Sequence, residues 1–414
     1  MKKYLVGGAV RDSLLNIPIK EKDWVVVGSS PEEMINLGFL PVGKSFPVFL
    51  HPKNYEEHAL ARTECKHGSG HTGFFFQTSP KITLKQDLKR RDLTVNAIAK
   101  DEKGNLIDPY GGLNDLKLRC LRHISNAFQE DPLRVLRVAR FAAYLAHLNF
   151  FIASETLKKM SDMIHELSDL SVERIWLETK KALLSYNPQI YFKVLLQCGA
   201  LNKIFPEISY LFQNSNSVKP PIRKDLGQKT LSALSIIVCL SDDIAVRFAT
   251  LCYNFGKLNQ NNLKNNIKKN KTKHSSILLN SMFSRLKLPR KILILSKIFI
   301  CYHNILKKIF FMNPKKIILF LNHIDVWRKP HRINEIIAIN KAHLCNLGNF
   351  KYHLYAPEML LKKIYKLAST IKVENIIQDG FIGFKIKNEL TERRKKIIEK
   401  EIFNVKIFKK NNFL

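Results

Sequence analysis

Cysteine is scarce and unpatterned in this chain of 414 residues: seven are scattered through it with no C-x-x-C pair. That excludes a disulfide framework or a zinc ribbon and suits a reducing cytoplasm. Long apolar runs are also missing. A membrane span needs about 18 uninterrupted apolar residues. The nearest stretch, "KILILSKIFICYHNILKKIFF", is broken by lysines and a histidine, so no membrane partner is expected. The amino terminus, "MKKYLVGGAVRD", is no secretory signal: its apolar run is short, holds two glycines and meets Arg11 and Asp12 at once. The last shortage is of acidic residues, and it is local. Residues 1–250 hold 34 Lys and Arg against 26 Asp and Glu, whereas residues 251–414 hold 34 against 9. The total net charge is +33. Such an excess favours a polyanionic partner, nucleic acid above all. Part of it is what an A/T-rich genome leaves behind, since Asn and Ile are abundant too.

What is present divides the chain in two. Up to about residue 125, short apolar runs alternate with turns. "KYLVGG", "DWVVVG", "FPVFL" and "HALAR" have the pattern of strands, "AVRDSLLN" that of a short helix, and "KHGSGHTGFFF" that of a glycine-rich loop. This is an α+β pattern. From about residue 126 helical spacing dominates, in "DPLRVLRVARFAAYLAHL", "SVERIWLETKKALL" and "QIYFKVLLQCGAL". "KLNQNNLKNNIKKNKTKHSS" is a Lys/Asn-rich low-complexity loop, and "LTERRKKIIEKEIF" is a basic helix.

Four clusters carry chemistry. In "GGAVRD", Gly7 and Gly8 permit close approach of a ligand to the backbone, and Arg11 adds charge beside a helix start suited to phosphate. An ordinary tight turn has the same sequence. In "KEKDWVVVG", Glu21 and Asp23 are two positions apart. On a strand they share a face and can seat a divalent metal; an isolated acid pair is otherwise a solvated surface. Glu57 is the candidate third acid on a neighbouring strand. In "LKRRDLTVNAIA", Arg91 suits triphosphate oxygens, and Asp92 and Asn96 suit a ribose hydroxyl; helix capping and surface pairing explain them equally. In "EDPLRVLRVARF", Asp131, Arg134, Arg137 and Arg140 follow at three-residue steps. These drift by about 60° each around a helix, so neighbours share a face and the ends do not.

In this order the clusters resemble the class II tRNA nucleotidyltransferases, the CCA-adding enzymes, with bacterial poly(A) polymerases as close relatives. "LVGGAVRD", "DWVVVGS", "FPVFLHP", "LKRRDLTVNA", "EDPLRVLRVARFAA" and "DVWRKPHR" are similar to the long bacterial subgroup, and "VGKSFPVFL" separates it from the poly(A) polymerases. The resemblance implies an α+β, polymerase β-like nucleotidyltransferase palm followed by an all-α neck, body and tail. The expected divisions are 1–125 (catalytic), 126–215 (base recognition and RNA binding), 216–330 (HD-like) and 331–414 (basic tail). It implies that Gly8, Arg11, Arg91, Arg137 and Arg140 contact CTP or ATP, with Asp92 and Asn96 beside them. It also implies that Glu21 and Asp23 are the catalytic Mg2+ ligands, and that Asp131 and Arg134 read the base. Cytosine and adenine share an amino donor beside a ring-nitrogen acceptor, which an Asp–Arg pair can match; uracil and guanine do not. The partners implied are CTP, ATP and the acceptor arm and 3′ end of tRNA, for a monomer or a homodimer.

Two departures from the family pattern matter. The first metal-binding acid is Glu21, where the family has Asp. In the HD-like stretch the usual H-D-x-G-K is "CYNFGK", so Tyr253 and Asn254 replace His and Asp, "GQKTLSAL" brings no His, and only His274 lies near the downstream position. The phosphohydrolase side activity is therefore expected to be absent. Poly(A) polymerase activity, partial CC or A addition, and a tRNA binder with decayed catalysis remain the alternatives at this stage.

Overall fold

The computed structural model describes residues 1–42, 48–66, 74–212, 222–260, 271–302, 305–345 and 356–411. Most of the glycine-rich loop, most of the Lys/Asn-rich loop, part of "VGKSFPVFL" and the side chain of His274 lie outside that description. The chain divides into two compact units, 1–206 and 207–414.

The first unit opens β1 (Lys2–Val6), α1 (Gly8–Leu14), β2 (Asp23–Val27), α2 (Pro31–Asn36), β3 (Leu40–Val42), β4 (Val48–Leu50), β5 (Glu57–Leu60), β6 (Arg62–Lys66) and β7 (Phe74–Thr78). Then follow α3 (Leu84–Lys89), β8 (Ala99–Lys100), β9 (Leu106–Ile107), α4 (Gly112–Leu118), β10 (Cys120–Leu121) and α5 (Leu133–Leu145). It continues β11 (Phe151–Ile152), α6 (Ser154–Asp162), α7 (Val172–Leu183), α8 (Pro188–Gln197) and α9 (Ala200–Ile204). Seven strands form one sheet in the order β3-β4-β5-β2-β1-β8-β9, and β6 and β7 pair separately. The α+β palm anticipated for the first 125 residues is therefore present.

The run "WVVV" is apolar on both faces because both faces are covered. Val25 packs with Val6, Leu88, Ala97 and Ala99 on one side. Val26 packs with Met34, Phe39, Phe49 and Leu60 on the other. β2 lies antiparallel to β1 and parallel to β5. This mixed pairing sets Asp23 opposite both Val6, where the glycine turn begins, and Glu57. Two glycines are required by geometry. Gly7 has φ +70, a left-handed conformation that side chains resist. A Cβ on Gly112 would lie 2.3 Å from the Thr94 carbonyl oxygen, so α4 can approach the 94–98 turn only without a side chain there.

Among the described residues, the helical stretch that begins near residue 126 carries one departure from all-α. Phe151 and Ile152 form a short parallel pairing with Cys120 and Leu121. It ties the palm to α6 by backbone hydrogen bonds such as Phe151 N–H to the Arg119 carbonyl, 2.9 Å. A two-residue strand carries no alternation to see in a sequence, because its length is below one repeat of a useful pattern.

The described part of the second unit is built of helices. None is long and apolar enough to cross a membrane. Where an HD site would sit, Tyr253 and Asn254 are buried. The Tyr253 ring stacks on His343 with centroids 3.9 Å apart. Asn254 donates to Thr230 Oγ1 at 2.8 Å, and Thr230 belongs to "GQKTLSAL". This is a packed core. Among the described residues, no three His, Cys, Asp or Glu gather into a set that could hold a metal.

Candidate active site

Asp23 begins β2; its residue surface is open to solvent, while neighbouring protein crowds its carboxyl. Burial by surrounding protein pushes its carboxyl above the ordinary carboxylate range, and the charge of Glu21 adds to this. Arg91, Arg137 and Lys181 oppose the rise. These four charges therefore all act on Asp23. Glu21 precedes the strand, so the two-residue alternation that paired it with Asp23 in sequence does not apply; proximity through the preceding loop does the work instead. Glu57 stands opposite Asp23 in backbone register. Its side chain does not close a three-carboxylate set with theirs.

The arginines converge around one aromatic ring. Arg11, Arg137 and Arg140 lie 5.0, 5.6 and 4.0 Å from the Phe141 ring centroid. Cations over a ring face are held by its quadrupole. Each arginine also has its own anchor. Arg11 Nη1 donates to Asn96 Oδ1 at 2.7 Å and Nε to Asp12 at 2.8 Å. Arg137 Nε donates to Asp92 Oδ2 at 2.7 Å. Arg140 Nε donates to Glu178 Oε2 at 2.5 Å. Asn96 Nδ2 in turn donates to Asp92 Oδ1 at 2.9 Å. Arg11, Asn96, Asp92 and Arg137 are thus one continuous network.

Burial pushes the Asp92 carboxyl up. The charge of Arg137, hydrogen bonds from Asn96 and Arg137, and the charge of Arg134 override it and hold Asp92 far below the usual carboxylate range. Asp92 raises Arg137 in return. Burial lowers Arg140, and Glu178 partly offsets that. These groups stay charged at neutral pH.

Arg91 sits beside the glycine turn. A Cβ on Gly7 would lie 3.1 Å from Arg91 Nη1, so a side chain there would push the guanidinium back by a few tenths of an ångström. Arg91 Nη2 reaches Asp87 at 3.3 Å. Its Nε is buried and finds no hydrogen-bond partner among the described residues. An arginine N–H left open beside a glycine turn is a place for an acceptor oxygen.

Asp131 and Arg134 are tied up in this state. Asp131 Oδ2 accepts from Arg174 at 2.8 Å, and Oδ1 accepts from the Leu133 amide at 3.0 Å. Arg134 donates to the carbonyls of Ala127 and Arg90, each at 2.5 Å. As the angular drift along α5 leads one to expect, neighbours share surroundings and the ends do not: Arg134 and Arg137 both reach the 90–92 segment, whereas Arg140 reaches Glu178.

Phe141, Arg174, Glu178, Lys181 and Asp87 were not singled out from the sequence. One signal was available. Arg174, Glu178 and Lys181 lie four and three residues apart in "SVERIWLETKKALL" and therefore share a face of α7. That this face meets α5 is a tertiary fact.

Comparison with known proteins agrees with this geometry. Residues 3–122 match the poly A polymerase head domain, and residues 149–212 match the probable RNA and SrmB-binding site of polymerase A. The chain is 50% identical over 396 residues to a CCA-adding enzyme of Blochmanniella pennsylvanica (strain BPEN), covering 95% of this chain and 97% of that one. It is 50% identical over 410 residues to a CCA-adding enzyme of Blochmanniella floridana, covering 96% and 97%. Its fold is shared with the Bacillus stearothermophilus CCA-adding enzyme in complex with CTP, at TM-score 0.63 and 20% identity over 99% of this chain and 94% of that one. It is shared equally with the Thermotoga maritima CCA-adding enzyme complexed with tRNA, at TM-score 0.62 and 19% identity over 98% and 91%. With half of its residues shared along nearly its whole length, the chain belongs to the family of CCA-adding enzymes.

Proposed function

We propose that the chain adds C, C and A in turn to tRNA 3′ ends, without a nucleic-acid template, from CTP and ATP, releasing diphosphate each time. The observation that carries this is the placement of Asp23 opposite Val6, where the Gly7–Gly8 turn begins, with Arg91 beside that turn and Arg11, Arg137 and Arg140 around Phe141. The residues fit a hard divalent cation. Magnesium keeps several waters and takes one or two carboxylates plus substrate phosphates, and Glu21 and Asp23, close enough for the charge of one to act on the other, are two such carboxylates. Two such ions, when bound, would activate the attacking 3′ hydroxyl and steady the leaving diphosphate.

The protein's own part is positioning and charge. Arg91 and the glycine turn would receive triphosphate oxygens. Arg11, Arg137 and Arg140 would neutralise charge gathering on the phosphates, each pre-set by its anchor. Asp92 and Asn96 act chiefly as positioning residues for Arg137 and Arg11. Asp131 and Arg134 would read the base edge by exchanging their present partners, Arg174 and two backbone carbonyls, for the amino group and ring nitrogen of cytosine or adenine. The basic second unit supports the RNA through phosphate contacts in the cytoplasm, and its degenerate HD-like core serves as scaffold.

The test is a tRNA transcript ending before CCA, incubated with protein and magnesium and with CTP, ATP or both, resolved at single-nucleotide length. Growth by three residues only with both nucleotides is expected. A long A-tail would mean poly(A) polymerase, and no growth with tRNA still bound would mean a binder.

Glu21 makes its own prediction. Glu adds a methylene to the ligand arm, which strains the near-octahedral geometry that magnesium demands. Glu21→Asp should raise turnover with magnesium and narrow the difference between magnesium and manganese. Equal rates for both proteins under both ions would remove any role for the longer arm. The packed Tyr253–His343 core predicts no metal-dependent hydrolysis of a 2′,3′-cyclic nucleotide; measured hydrolysis abolished by a chelator and by mutating His274 would contradict it.

A further inference from the structure

The motif "DVWRKPHR", residues 325–332, takes no part in the nucleotide site. It forms the turn between the helices Pro314–His323 and Arg332–Cys345. With the start of the helix Arg290–Tyr302 it lines an open cavity of about 700 Å³. The rim carries the exposed cations Arg290, Lys291, Arg328 and Lys329, with the exposed His331 imidazole beside them. Lys291 pairs with Asp243 and lies 3.5 Å from Glu335 Oε1. Arg328 donates to Asp325 at 2.7 Å, but its side chain is 82% exposed, where such a pair is weak.

Glu335 is the unusual member. Its side chain lines the cavity and is 11% exposed. Its Oε2 is buried and has no hydrogen-bond partner among the described residues. A buried acceptor without a donor is costly. Rotation of the carboxylate about its last torsion is soft, so the unfilled acceptor can turn to a donor that enters the cavity.

A cationic rim over a donor-seeking acid is selective. Free phosphate would suit the rim, but its P–OH donors sit on the same anionic group that Glu335 repels. A DNA backbone brings phosphate and no donor at all. An RNA backbone brings both groups: phosphates for the Arg and Lys side chains, and a 2′-hydroxyl that can donate to a carboxylate. We propose that this cavity is a ribose-phosphate site for the RNA substrate, with Arg328 and Lys329 on phosphates and Glu335 on a 2′-hydroxyl. The proposal rests on tRNA being the substrate.

The test uses the full chain and a labelled tRNA transcript over a salt series. Arg328→Ala/Lys329→Ala should weaken binding at low salt. It should also flatten the plot of log K against log salt by about 1.5, from two lost contacts at roughly 0.7–0.9 each. Glu335→Ala should reduce the preference of the protein for a single-stranded RNA oligonucleotide over its DNA counterpart. An unchanged salt slope in the double variant, or an unchanged RNA preference in Glu335→Ala, overturns the site. So does saturable binding of labelled AMP that the double variant loses while its tRNA slope stays normal. A wild-type chain that fails to bind tRNA overturns the proposed function and this site together, whereas normal wild-type binding with unaffected variants sinks this site alone.

Discussion

Asp23→Asn should lose nucleotide incorporation by roughly 10³-fold or more, the several kcal/mol that metal-assisted charge stabilisation supplies. It should still bind tRNA. The argument comes from the direction of the Asp23 shift. Burial and Glu21 raise its carboxyl against the pull of Arg91, Arg137 and Lys181. A carboxylate whose folded value is raised costs the fold stability once it ionises; it does not contribute any. The isosteric amide removes that cost, so the thermal midpoint of Asp23→Asn should match or exceed wild type at pH 7. The gap should close as pH falls into the carboxylate range, where Asp23 is protonated in wild type too. Activity lost with stability kept is the signature of a residue retained for chemistry. A fall in both together would place Asp23 among the structural residues and sink the assignment.

Arg137→Ala should damage both stability and turnover. It removes the main partner of a buried carboxylate. Breaking a buried pair by deleting one member costs about 3–5 kcal/mol. The Arg137 side chain is 37% exposed, so solvent screens part of the pair, and the cost belongs at or below the low end of that range. The sign with pH follows from Asp92. Its folded value is depressed, so its stabilisation is fully present above the ordinary carboxylate value of about 4 and is lost as pH falls through the folded value. Without Arg137 the carboxyl rises and accepts a proton earlier. The stability gap between wild type and variant should therefore be widest near pH 7 and shrink toward pH 4, in thermal melts at fixed ionic strength. Turnover should fall as well, because Arg137 also acts on Asp23. Arg137→Lys should recover charge but not the fixed guanidinium geometry. A gap independent of pH would mean that the Asp92–Arg137 pair adds nothing to stability.

The sequence was legible where chemistry and local geometry coincide. Gly7 and Gly8 follow a strand in "KYLVGG", and "DWVVVG" is apolar on both faces; both patterns announce a palm strand and its turn before any coordinates. Arg11, Arg91, Asp92, Asn96, Arg137 and Arg140 stand out by motif order, and the fold links Arg11, Asn96, Asp92 and Arg137 in one network, with Arg140 on the same Phe141 ring and Arg91 beside Gly7. Glu21 was credited to a strand it does not join, because a strand's start is set by its neighbours' hydrogen bonds and not by its own side chains. The 151–152 strand was invisible, being too short to show a period.

Two kinds of information separate here. Composition and spacing determine the α+β palm, the largely helical remainder and the basic second half, since these depend on residue type and short-range periodicity; the family entered through the resemblance of the ordered motifs. Which partner each charge takes is a different matter. Phe141 became the common platform of three arginines, Glu178 the anchor of Arg140 and Arg174 the partner of Asp131 only because α7 packs against α5, and Glu335 met a cationic rim only because three helices enclose one cavity. Coulomb and hydrogen-bond energies fall off over a few ångströms, and residues tens of positions apart acquire such distances only when the chain has folded.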